Sequence, residues 1–170
     1  MTRLLLASVV MLMACGARTE LDPLGSDAGP TPDAPAADIG PVGPGLTVAL
    51  FSGDTAADGT SWGRPFSCGD TGGDGYPYSV VTFDNPTRAD LRVEVLVDWE
   101  GFDGFLHVYE SPFDPARVNV GCLGSNDDFE GTARSRVQDI TVRAGQSIDL
   151  VLSSWAAGSS GRYDAFVVTQ

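Results

Sequence analysis

The residues of this 170-residue chain that could do chemistry are concentrated in acidic groups around two short turns. Asp98, Glu100 and Asp103 surround the first, and Asn126, Asp127, Asp128 and Glu130 crowd four oxygen-rich side chains into the second. Such a set is expected either in a solvated turn, where Asp and Asn bond their own backbone, or around a hard cation that needs roughly six to eight oxygens. The spacing is not that of an EF-hand, so a calcium site would have to be assembled from adjacent loops at one end of the fold, with Asp103, Asn126, Asp127 and Asp128 as candidate ligands. Both readings stay open on the sequence. Asp70 and Asp74 form a second, sparser set. Asp98 and Glu100 are also paired carboxylates of the kind glycosidic acid-base work requires, although nothing marks them above the other acids.

Nucleophilic chemistry has less behind it. Gly59-Thr60-Ser61-Trp62-Gly63 fits the G-x-S-x-G pattern, which needs a strand before it and a helix after it to expose the serine. Neither is expected there, and Arg64-Pro65 follows at once. His107 is the sole histidine and falls between Leu106 and Val108, where it reads as a face residue of a strand. With one histidine, a Ser-His-Asp set and a histidine-rich metal site both lose support.

The charge balance narrows the partners. All ten basic residues are arginine and face 23 acids, for a formal net charge of -13. Phosphate binding needs a positive face, so nucleic acid is excluded as a partner.

The elements that position these residues begin after a leader. Arg3 and the apolar run Leu4 to Ala14 have signal-peptide form and are too short for a membrane span. Leu12-Met13-Ala14-Cys15 resembles the bacterial lipoprotein lipobox, which implies cleavage after residue 14 and a lipid such as palmitate on Cys15. Gly16, where Asp would signal retention, resembles the outer-membrane sorting signal of Gram-negative lipoproteins. Residues 15–45 are rich in Pro, Ala, Gly and Asp without any apolar period, so this stretch is expected as a disordered tether. Export and the use of Cys15 for lipid leave Cys68 and Cys122 to form a disulfide.

From residue 46 to 170 a single domain is expected. Strands are read at Leu46–Phe51, Ser79–Phe83, Leu91–Asp98, Phe105–Tyr109, Val118–Leu123, Val137–Val142, Ser147–Leu152 and Tyr163–Val168, with a long Gly-rich loop between the first two. Trp62, Phe66 and Tyr76 should pin that loop across an edge or open end of the sheets. Prolines 112 and 115 make the SPFDPA segment a loop. The turns at residues 84–86, 143–146 and 158–161 read as hairpin connections. The fold class is all-β, an antiparallel, jelly-roll-like β-sandwich.

The order FDGFLHVYE, GCLGSNDDFEG, ITVRAGQSIDLVLSSW, GRYDAFVV, with TSWGRPF ahead of it, resembles the bacterial pre-peptidase C-terminal domain over Leu46 to Val168. The likeness rests on Asp103, Asn126-Asp127-Asp128, the turn near Gly145, and Gly161-Arg162-Tyr163. It implies a non-catalytic sandwich of the kind appended to secreted enzymes. The complement-type CUB sandwich is a more distant likeness whose cysteine pattern is not reproduced. The expected function is a lipid-anchored envelope module, not an enzyme, that binds a protein or glycan or serves structurally; the competing class is a small secreted hydrolase using acidic residues.

Overall fold

The computed structural model describes residues 45–69 and 72–170, so the leader, Cys15, the tether up to residue 44 and Asp70 lie outside the described residues. Nine strands are formed among the described residues: β1 (Thr47–Asp54), β2 (Ser61–Arg64), β3 (Gly73–Asp84), β4 (Leu91–Glu100), β5 (Gly104–Glu110), β6 (Cys122–Asn126), β7 (Ser135–Val142), β8 (Ser147–Ser154) and β9 (Arg162–Thr169). They make a smaller sheet in the order β1-β9-β4-β7 and a larger one in the order β2-β3-β8-β5-β6, antiparallel throughout. With β2 set aside, eight strands are shared between two sheets in jelly-roll fashion, each step crossing from one sheet to the other except the β5–β6 pair.

The period-two pattern explains the sandwich. On β4, Leu91, Val93, Val95 and Val97 point inward and are buried, while Arg92, Glu94, Leu96 and Asp98 take the other face. The inward residues meet Leu106 and Val108 of β5, Leu150 and Leu152 of β8, and Ala165 and Val167 of β9 in one core cluster. Burying each Val or Leu side chain contributes about 1.5–3 kcal/mol as an upper figure, so the core holds the two layers together.

Three of the expected hairpins are corrected. The connections at 84–86, 143–146 and 158–161 each carry the chain from one sheet to the other, since β3 and β8 belong to the larger sheet and β4, β7 and β9 to the smaller. Turn residues specify a reversal, and in a sandwich the reversed strand can bury its apolar face across the core as well as beside its predecessor. The expected strand Val118–Leu123 is also shifted, because only Cys122–Asn126 pairs with β5. Residues before it are held as loop: the Tyr109 hydroxyl donates to the Val118 carbonyl at 2.8 Å, and the Glu110 N–H donates to the Gly121 carbonyl at 2.7 Å. Finally, the Gly-rich loop contains β2, which pairs with an early extension of β3 through Trp62 opposite Tyr76.

Candidate binding site on the outer face of the larger sheet

β5 is buried on both faces, and the outer one carries the unusual residues. Alternation sends Phe105, His107 and Tyr109 outward, opposite Leu106 and Val108. With Trp155, just beyond β8, they form a row of nearly parallel rings: Trp155 to Phe105 at 6.0 Å, Phe105 to His107 at 4.7 Å and His107 to Tyr109 at 6.1 Å. Trp62 of β2 lies edge-on to His107 at 5.3 Å and to Phe113 at 5.3 Å, giving this face a small core of its own.

Two segments are thereby clamped over the sheet. The buried Asp149 carboxylate accepts the Thr82 hydroxyl and the Phe113 N–H, both at 2.7 Å, which seats the loop after β5. The Cys68–Cys122 disulfide, with its Cα atoms 5.3 Å apart, ties the chain beyond β2 to edge strand β6. Gly72 is required where the chain passes back over β2, because a Cβ there would sit 1.2 Å from the Arg64 carbonyl oxygen.

Arg64 is the outcome of this arrangement. It is fully buried, with its guanidinium 4.1 Å from the Phe105 ring centroid, 4.4 Å from Tyr76, 5.3 Å from Phe66 and 5.4 Å from Trp155. Nη1 donates to the Pro65 carbonyl at 3.3 Å and Nη2 to the Trp155 carbonyl at 3.2 Å, while Nε has no acceptor. No carboxylate forms an ion pair with it among the described residues. Burial draws its pKa down, opposed by the Tyr76 hydroxyl and then by the charge of Asp127. The solvent side is formed by Phe66 and Trp155, 51 % and 44 % exposed, with ring centroids 6.2 Å apart.

His107 is fully buried beneath Trp62, and neither ring nitrogen has a well-formed hydrogen bond. Burial first, and the charge of Arg64 second, lower its pKa to about 3, although the Pro65 carbonyl favours the protonated ring. An imidazole held neutral and closed off from water does not serve as a general base. Burial also pushes the Tyr109 phenol up.

The acidic residues singled out in the sequence fall into two places. Asp98 and Glu100 lie two apart on β4 and line a groove of about 660 Å³ on the smaller sheet, together with Asp54 and Asp164. Asp98 is taken by an ion pair with Arg134, and Asp164 accepts the Ser52 hydroxyl. At the other place Asp103 is exposed just before β5, and its carboxyl is raised by burial of its surroundings and by the charges of Asp128 and Asp127. Asn126 is turned to the backbone, its Oδ1 accepting the Arg136 N–H at 2.9 Å, and the Asp127 carbonyl accepts the Ser135 hydroxyl at 2.7 Å. Among the described residues no three His, Cys, Asp or Glu side chains are grouped as a metal site. Ser61 opens a strand, not a strand-to-helix turn, and stays exposed.

No family model matches the chain, and no curated protein matches it. Among solved structures it is similar to the pre-peptidase C-terminal domain of a collagenase from Bacillus anthracis, with a TM-score of 0.44 and 10 % identity over 74 % of this chain and 90 % of that one. It is also similar to PliG of Aeromonas hydrophila, a periplasmic lysozyme inhibitor of g-type lysozyme, with a TM-score of 0.39 and 15 % identity over 72 % of this chain and 85 % of that one.

Proposed function

We propose that the protein is a non-catalytic, lipid-anchored envelope module that binds a protein partner through the Phe66 and Trp155 surface. Residues 1–14 act as the signal peptide, lipid on Cys15 holds the chain to the outer membrane of a Gram-negative cell, residues 15–45 serve as the tether, and residues 46–170 are the binding domain. The observation that carries this reading is the exposed aromatic pair on a base fixed by a disulfide and a buried arginine. Aromatic side chains beside arginine are the composition of interface hot spots, because they bury much area with few rotatable bonds. The neutral, enclosed His107 and the ion-paired Asp98 support the non-catalytic part.

The test places a photo-crosslinking phenylalanine analogue at position 66 and, as control, at exposed Arg88 in living cells. One defined envelope protein should be captured from position 66 and not from 88. Glycan capture in its place would change the ligand class. Turnover of ester, peptide or glycoside substrates, abolished by Asp98→Asn or Glu100→Gln, would establish the hydrolase instead. Cys15→Ser should move the protein out of the membrane fraction; a substituted chain that stays there with unchanged mass refutes the anchor.

A further inference from the structure

The unanswered group on the outer face is the guanidinium of Arg64. An arginine keeps its charge, and taking that charge out of water costs several kcal/mol unless a carboxylate or a full set of hydrogen bonds replaces the lost solvent. Here the acceptors are two carbonyls at 3.2 and 3.3 Å, near the long end of the range, and Nε–H points at none. Ring faces supply part of the compensation, but they do so unequally. The two enclosed rings, Phe105 and Tyr76, approach to 4.1 and 4.4 Å, whereas Phe66 and Trp155 stand off at 5.3 and 5.4 Å and are half exposed. The cation is therefore held firmly from beneath and covered loosely from outside, by two side chains that can turn about χ1 without moving a strand.

We propose that Arg64 is a receptor for a carboxylate, which enters between Phe66 and Trp155 and accepts paired hydrogen bonds from Nε and one Nη. That geometry is the one in which a planar guanidinium binds an acid most strongly, and it would give a partner to the nitrogen that has none in the free protein. The carboxylate comes either from an acidic side chain or C-terminus of the partner protein, or from a free small organic acid. The first source rests on the binding-module reading above; the second does not.

The experiment follows the Arg64 Nε–H signal by proton-nitrogen NMR in the full chain, assigned through its loss in Arg64→Lys. Sodium acetate is the first probe, with sodium chloride at equal ionic strength as control. Acetate should shift the signal saturably in the millimolar range, and chloride should leave it in place. Phe66→Ala, which removes half of the cover, should bind acetate several-fold more tightly. Because Arg64→Lys has no such signal, its affinity is read from acetate-dependent melting, where it should be roughly tenfold weaker for want of the fork. A short peptide with a free C-terminal carboxylate and its amidated form separate the sources: a peptide much tighter than acetate points to a partner chain, and equal affinities point to a small acid. Equal responses to acetate and chloride overturn the proposal, as does a peptide that binds measurably and equally well in its free and amidated forms. A response confined to Phe66→Ala overturns it too, since the rings then do not part in the natural chain. Crosslinking from position 66 without any acetate response would keep the binding module and remove the carboxylate.

Discussion

Acid should destabilise this domain through its single histidine. His107 is enclosed by Phe105, Tyr109 and Trp62, with its pKa lowered from 6.5 to about 3 by burial and by Arg64. In the unfolded chain the ring takes up a proton as pH falls through about 6.5, while in the folded chain it does so only near 3. Between those values the unfolded state binds more protons, so stability is lost as pH drops, at a limiting slope of about 1.4 kcal/mol per pH unit. From neutrality to pH 4 this amounts to roughly 3 kcal/mol, a large share of the ~5–15 kcal/mol that holds a domain together. The perturbation is His107→Leu, which keeps approximate volume and removes two ring nitrogens that lack good partners. Urea unfolding at a series of pH values should show the parent losing about 3 kcal/mol more than the variant between pH 7 and 4. Carboxylates contribute to both curves alike and cancel in the difference. Parallel curves for parent and variant would refute the reasoning, because they would mean that His107 takes up its proton without opening the outer layer.

The disulfide closes a separation of 54 residues, worth about 4 kcal/mol in the chain-entropy model. Reduction, or Cys68→Ser with Cys122→Ser, should lower the melting temperature by many degrees, and thiol counting on the unfolded, unreduced domain should find neither sulfhydryl free. Asp103 has its pKa raised by burial of its surroundings and by Asp128 and Asp127, so its ionised form opposes folding at neutral pH and that opposition disappears as pH falls below the carboxylate range. Asp103→Asn should therefore raise the melting temperature at pH 7 and have no such effect in acid. The same melts in chelator and in calcium test the hard-cation expectation, for which a calcium-dependent rise that Asp103→Asn abolishes is the required sign and identical parent curves are the refutation.

The sandwich was legible because β4 and its partners obey a plain rule. Leu91, Val93, Val95 and Val97 alternate with polar residues, and a strand with one wet face announces itself in that way. Cys68 and Cys122 could be paired by elimination, since the expected export and the expected lipid on Cys15 left no other combination. Strand partners were less legible. The turns at 84–86, 143–146 and 158–161 show where the chain reverses, but a jelly roll and a meander use the same turn residues, and only the sum of all pairings decides between them.

The candidate site escaped the sequence for a different physical reason. Trp-Gly-Arg-Pro-Phe at 62–66 reads as a polar loop with two large residues, and the buried role of Arg64 arises only when β2 folds beside β3 and lays its side chain over Phe105, about 40 positions away. A clue did exist in β5. Phe105-Leu106-His107-Val108-Tyr109 is bulky at every position, which a half-solvated strand would not be; such a run requires cover on both faces. The smaller sheet supplies one cover, and the remaining aromatic residues of the loops, Trp62, Phe113 and Trp155, were the material for the other. Once that second cover is required, an arginine between Trp62 and Phe66 must either reach solvent past the rings or be enclosed by them. The carbonyls of Pro65 and Trp155 and the faces of four rings decide for enclosure, which leaves Nε as the one nitrogen of that group without an acceptor.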